Sequence, residues 1–130
     1  MAEVTSTVSE LFHMSAQILG WQENGVQVIP GFAREPELTE GTKRKAKRIG
    51  DIFNKEVAEI RKQLAEIDEY KEEGLSEEEL AKVIQSKKEE LLNDTITIGN
   101  IELLDFSKIE DISFKSGYSY HLLYDKIFTQ

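Results

Sequence analysis

The sequence predicts an α+β fold, mainly helical, built on a long antiparallel helical hairpin of coiled-coil character with a small β element and a C-terminal helix. Three observations carry this. A stretch of about 30 residues steps its apolar positions by three or four, the interval of a helix with one buried face. A glycine and a serine capping signal follow each other at its end. Further on, a short segment alternates apolar and polar residues, the period of a strand. At 130 residues the chain is expected to form a single domain, 1–130.

Residues 4–19 read as the first helix, with Val8, Leu11, Phe12, Ser15, Ile18 and Leu19 at helical spacing and Gly20 as its end. Residues 21–36 form an ordered connector, punctuated by Gly25, Pro30, Gly31 and Pro36. Within it, Val26-Gln27-Val28-Ile29 suits a short strand or an extended crossing segment. Trp21 and Phe32 are expected to plug the end of the helical core, as bulky aromatics usually do.

The dominant helix covers 39–73. Its apolar positions, Ala46, Ile49, Phe53, Val57, Ile60, Leu64 and Ile67, form a coiled-coil seam. Gly50 inside the seam costs about 1 kcal/mol against alanine and so marks a close helix crossing or a bend. Gly74 suits a left-handed C-cap, and Ser76-Glu77-Glu78-Glu79 has capping-box spacing, so a second helix spans 76–93 with Leu80, Val83, Ile84, Lys87 and Leu91 on one side. So short a connection makes the two helices antiparallel neighbours. The shorter arm reaches only the distal half of the longer one. Ile49, Phe53 and Val57 therefore require cover from a terminal helix or a second copy, and a homo-oligomer is expected.

Thr95-Ile96-Thr97-Ile98 and Ile101-Glu102-Leu103-Leu104 flank Gly99-Asn100, which predicts a β-hairpin over 95–104. The terminal helix, 117–128, places Tyr120, Leu123, Tyr124 and Ile127 at helical spacing with Ser116 or Ser119 as cap.

Composition excludes several chemistries. The chain has no cysteine, which rules out disulfides and thiolate metal sites. His13 and His121 lack further ligands at the usual spacing, so no metal site is predicted, and a surface pair explains His121 and Asp125. There is no nucleophile elbow and no glycine-rich phosphate loop, so no catalytic residue and no cofactor are predicted, and the protein reads as a non-enzyme. No apolar run approaches a membrane span and no signal-peptide pattern opens the chain, so a cytoplasmic location without membrane contact is expected.

One feature runs against local electrostatics. The net charge is −9, yet Lys43, Arg44, Lys45, Lys47 and Arg48 sit at the start of the long helix, where the helix dipole disfavours cations. Arg34 precedes them. Two readings stand. The block offsets acidic neighbours, Glu35, Glu37, Glu40 and Asp51 among them, or it contacts a phosphorylated ligand, a nucleic acid or an acidic protein, with Phe32, Trp21 or a tail tyrosine available to stack on a base.

From Arg44 through the hairpin to Gly117-Tyr118-Ser119-Tyr120-His121-Leu122-Leu123-Tyr124-Asp125-Lys126-Ile127-Phe128, the order of parts resembles that of small accessory proteins of tailed bacteriophages. The basic start of a charged helical hairpin, a short apolar strand segment and a tyrosine- and leucine-rich terminal helix carry the resemblance. It implies a phage or prophage origin, placing the protein in the host cytoplasm, and a role in particle assembly or in inhibiting a host factor by binding.

Overall fold

Strand β1, Ala2–Thr7, opens the chain and runs directly into helix α1, Val8–Leu19, in a computed structural model that describes residues 1–129. The helix begins at Val8 and not at Val4 because Thr7 caps it. The Thr7 hydroxyl accepts from the Glu10 N–H at 3.1 Å, and the Glu10 carboxylate accepts from the Thr7 N–H at 2.9 Å, a reciprocal capping box. Ahead of that cap, Val4 and Ser6 face inward as alternate residues of a strand.

Gly20 ends α1, and strands β2, Trp21–Glu23, and β3, Val26–Ile29, form a small antiparallel hairpin. Asn24 and Gly25, both at positive φ, make its turn. A short 3₁₀ turn at Phe32–Arg34 leads to helix α2, Glu40–Asp68, capped by Thr39. Helix α3, Glu77–Leu92, starts at the predicted Ser76 cap, whose hydroxyl accepts from the Glu79 N–H at 3.1 Å.

Strand β4, Thr95–Ile101, corrects the expected 95–104 hairpin. It runs through Gly99-Asn100 and pairs antiparallel with β1, Thr7 opposite Thr95 and Ala2 opposite Ile101. Between Val4 and Ala2 the register shifts by one residue, so Gly99-Asn100 forms a bulge where a turn was predicted. Strand β5, Leu104–Asp105, pairs in parallel with β6, Phe128–Thr129, and between them helix α4 covers only His121–Lys126, shorter than the predicted 117–128. Neither predicted serine caps it. The Ser116 hydroxyl donates to Glu35, and Ser119 lies 2.8 Å from His121 Nε2, the place assigned to Asp125.

The fold is thus α+β and mainly helical, and the contacts between the two long helices involve only part of their lengths. Their recorded meeting is at one end: Lys88 pairs with Asp68, Lys87 lies over the Tyr70 ring at 4.6 Å, and Leu91 faces Gln63 and Ile67. No residue of α3 is fully buried. The core lies instead between α1 and the front of α2, where Leu11, Met14 and Ile18 pack with Ile49, Phe53 and Val57 in one cluster that also takes in Val4, Ile98, Ile101 and the C-terminal Tyr120, Leu123, Ile127 and Phe128. Ile49, Phe53 and Val57, expected to form an oligomer seam, are therefore covered from within the chain.

Gly50 permits that cover. A Cβ built there would stand 2.7 Å from Ile18 Cγ2 and 2.8 Å from Leu19 Cδ2, inside van der Waals contact. Of the two predicted roles for this glycine, the close crossing is the one found.

The C-terminal segment is fastened by acids. Glu35, only 2 % exposed, accepts hydrogen bonds from the hydroxyls of Tyr120 at 2.6 Å and Ser116 at 2.5 Å. Burial, reinforced by that bond to Glu35, pushes the Tyr120 phenol up. Glu37 accepts from the Lys115 N–H at 2.9 Å, and this bond holds its carboxyl below the ordinary value of 4.5. The Thr7 N–H does the same for Glu10.

Two expectations follow. Gly50→Val should destabilise the protein by about 1–3 kcal/mol through overpacking against the stiff Ile18 side chain, read as a fall in the urea midpoint. Glu37 and Glu10 have folded pKa values below their unfolded ones, so the unfolded chain binds protons more readily. Their contribution is full above the unfolded pKa and is lost as pH falls through the folded one. Urea midpoints should stay level from neutral pH to about 5 and drop below it, with a shallower drop in Glu37→Gln; an acid-insensitive wild type would refute this.

Candidate functional site

The basic block occupies the first turns of α2, and all of it except half-buried Lys43 is exposed. Lys43 pairs with Glu40 at 3.4 Å and Lys47 with Asp51 at 2.9 Å. Lys45 and Arg48 converge on Glu102, just past the end of β4, at 3.3 and 3.6 Å. Arg44 and Arg34 are exposed and form no ion pair among the described residues. Of the acids expected to neutralise the block, Glu40 and Asp51 do so. Glu35 and Glu37 serve the C-terminal segment instead, and Glu102 takes their place.

Phe32 and Trp21, two of the aromatics expected to stack beside the block, part company. Phe32 is fully buried, edge-on to Phe114, Tyr120 and Phe128 at 5.8, 5.2 and 5.6 Å between ring centroids. It plugs the core as predicted. Trp21 does not: it is 45 % exposed at the base of the β2–β3 hairpin.

Around Trp21 the described residues form a different site. The Arg61 guanidinium, on α2, lies 5.7 Å from the Phe12 ring centroid and 6.0 Å from that of Trp21, within cation–π range of both. On one side of this stack opens a cavity of about 290 Å³ bounded by α1 (Ser9, Phe12, His13, Ala16), the hairpin (Trp21, Ile29), Arg61 and Leu92 at the end of α3. On the other side a smaller cavity of about 150 Å³ reaches Asn54 and Val57. The hairpin above carries Val26 at 66 % and Val28 at 51 % exposure. Its two strands pair only with each other, leaving both outer edges open.

Phe12, His13, Val26, Val28 and Arg61 were not among the sequence-derived candidates. Two signals point to Val26, Val28 and Arg61, and none marks Phe12 or His13. Residues 20–31 hold a single charge, Glu23, in a chain that is 32% charged, and Arg61 is the only arginine beyond residue 48.

Among the described residues no group of three His, Asp or Glu is placed to hold a metal ion, and no helix is long and apolar enough to cross a membrane. Comparison with known protein families, curated proteins and solved structures finds no match for this chain.

The ion pairs of the block are exposed, and such pairs contribute little. Arg44→Glu combined with Arg48→Glu should lower stability by less than about 1 kcal/mol, with the larger loss at low salt because screening is weakest there. Thermal melts at two ionic strengths read this directly; a loss of several kcal/mol would mean that Glu102 depends on Arg48 far more than its exposure suggests.

Proposed function

We propose that this protein acts by binding, docking through the β2–β3 hairpin, and that the first occupant of this face is a second copy of the chain. The observation that supports the reading is the concentration of exposed large apolar side chains, Trp21, Val26 and Val28, on one nearly uncharged hairpin with open edges. A chain of net charge −9 repels its copies over most of its surface. The hairpin is where that repulsion is weakest, and an isologous contact would set each apolar face against its equivalent. An isolated two-stranded hairpin is also marginal in water, and pairing it with another would give four strands.

This reading keeps the phage-type accessory role, in particle assembly or inhibition of a host factor, and moves its binding face from the seam at Ile49, Phe53 and Val57 to the hairpin. The alternative, a phosphorylated ligand or nucleic acid held by the basic block, has thinner support. Four of the five cations at 43–48 are already paired with acids of the same chain, and neither Phe32 nor Trp21 is available beside them as a stacking partner in the way first expected.

Trp21 is the only tryptophan, so its emission reports the base of this hairpin, where it adjoins the Arg61 cavity. On dilution from about 100 µM to about 1 µM, the emission should shift to the red as the light-scattering mass falls toward one chain, by mass action. Val28→Lys should remain a single chain at every concentration with little change in melting temperature. A wild type that is monomeric throughout, with constant emission, overturns self-association through the hairpin.

A further inference from the structure

The larger cavity beside Arg61, like the smaller one, is lined by no acidic side chain, although the chain carries 25 acidic residues. Phe12, Ala16, Ile29 and Leu92 give it apolar walls. Its polar members, Ser9, His13 and Arg61, can all donate hydrogen bonds, and none is engaged in a side-chain hydrogen bond or ion pair among the described residues. Ser9 and His13 stand one turn apart on α1, on the same face. A guanidinium stacked on aromatic rings keeps its N–H edge free, the edge that meets a carboxylate with two parallel bonds.

We infer that this cavity binds the carboxylate of a small apolar acid, with the hydrocarbon or aryl body against Phe12, Ile29 and Leu92 and the carboxylate on the Arg61 edge, near Ser9 and His13. The volume, about 290 Å³, is at the lower end of ligand pockets, roughly 300–1,000 Å³, and suits one ring with a short chain. Charge favours this ligand twice. A carboxylate finds an unpaired cation here, whereas a cation would find no acidic partner. Arg61 and His13 are exposed, so water serves the Arg61 edge when a neutral compound binds, and the charged ligand gains the bidentate pair over that hydration. The same chemistry could come from a free acid or from the C-terminal carboxylate of a peptide ending in an apolar residue. The site shares Trp21 with the docking face but does not rest on self-association, since its polar groups lie on α1 and α2.

The test is an amide NMR titration of the wild-type protein with 3-phenylpropionate and, separately, with 3-phenylpropanamide. The acid should give saturable shifts centred on residues 9–16, Trp21 and Arg61, and the uncharged amide should bind at least about tenfold more weakly, the loss of a charge-assisted pair. Arg61→Gln should weaken the acid by a similar factor, while Lys82→Gln, on the exposed side of α3, should not. Acetyl-Ala-Phe with a free terminus, compared with its amidated form, distinguishes the sources: binding tighter than that of 3-phenylpropionate assigns the site to a peptide end, and weaker binding to a free acid. Equal binding of acid and amide to the wild type, shifts centred elsewhere, or no saturable shift overturns the inference, and the first comparison requires no variant to fold. Val28→Lys, monomeric by design, should bind the acid as the wild type does, so failure here and failure of hairpin docking are separable.

Discussion

The structure depends on the close crossing of α1 over the front of α2. Gly50 removes the side chain that would hold the helices apart, and Ile18 and Leu19 occupy the space. Everything else in the core is arranged around that contact. Because α1 covers Ile49, Phe53 and Val57, the strand that precedes it, β1, is carried to β4, and the C-terminal segment closes over what remains with Tyr120, Leu123 and Ile127. Cover that the sequence required from elsewhere is supplied by the chain's own beginning and end. Buried Glu35 then ties that end in place through two hydroxyls, which satisfies a carboxylate that would otherwise be costly to bury.

Closure of the front of α2 leaves other surfaces unused. The far part of α2 beyond Ile60 and the whole of α3 contain no fully buried residue, and α3 reaches the core only through Leu91 and Leu92. The β2–β3 hairpin exposes apolar side chains that none of the described residues covers. Its exposure and the acid-free cavity below it lie on the same side of α1, so a binding role draws on neighbouring features: an outer face for a macromolecule and a recess for a small anion. The basic block is mostly occupied in linking α2 to Glu102 and to acids on its own helix.

Much of the helical architecture was legible. The Ser76 cap and the period of α2 follow from local rules that tertiary contacts reinforce; Gly50 left a crossing and a bend equally open, and the expected Gly74 cap is not used, because α2 ends at Asp68 with Glu69 as its cap. What was misread lay where two periods coincide. Val4 stands four residues before Val8, so it fits a helix, but Val4-Thr5-Ser6-Thr7 is rich in strand formers and Thr7 with Glu10 has capping-box spacing. Gly99-Asn100 has turn composition, yet a bulge uses the same backbone freedom, and only the partner strand decides between them. The site was less legible than the fold. Its members come from α1, the hairpin, α2 and α3, and a guanidinium between two rings leaves no signature in any one segment.

The central claim is that cover within one chain divides α2 into a locked front and an open rear, with α3 attached only at its end. Native-state hydrogen exchange, followed residue by residue at low protein concentration, reads this directly. The slowest amides should fall in α1 and in α2 from Ala46 to Ile60, exchanging only through global opening, whereas those of α3 before Leu91 should exchange orders of magnitude faster through local opening. Protection of α3 equal to that of the front of α2 would contradict the account and return the fold to a long, mutually buried helical hairpin.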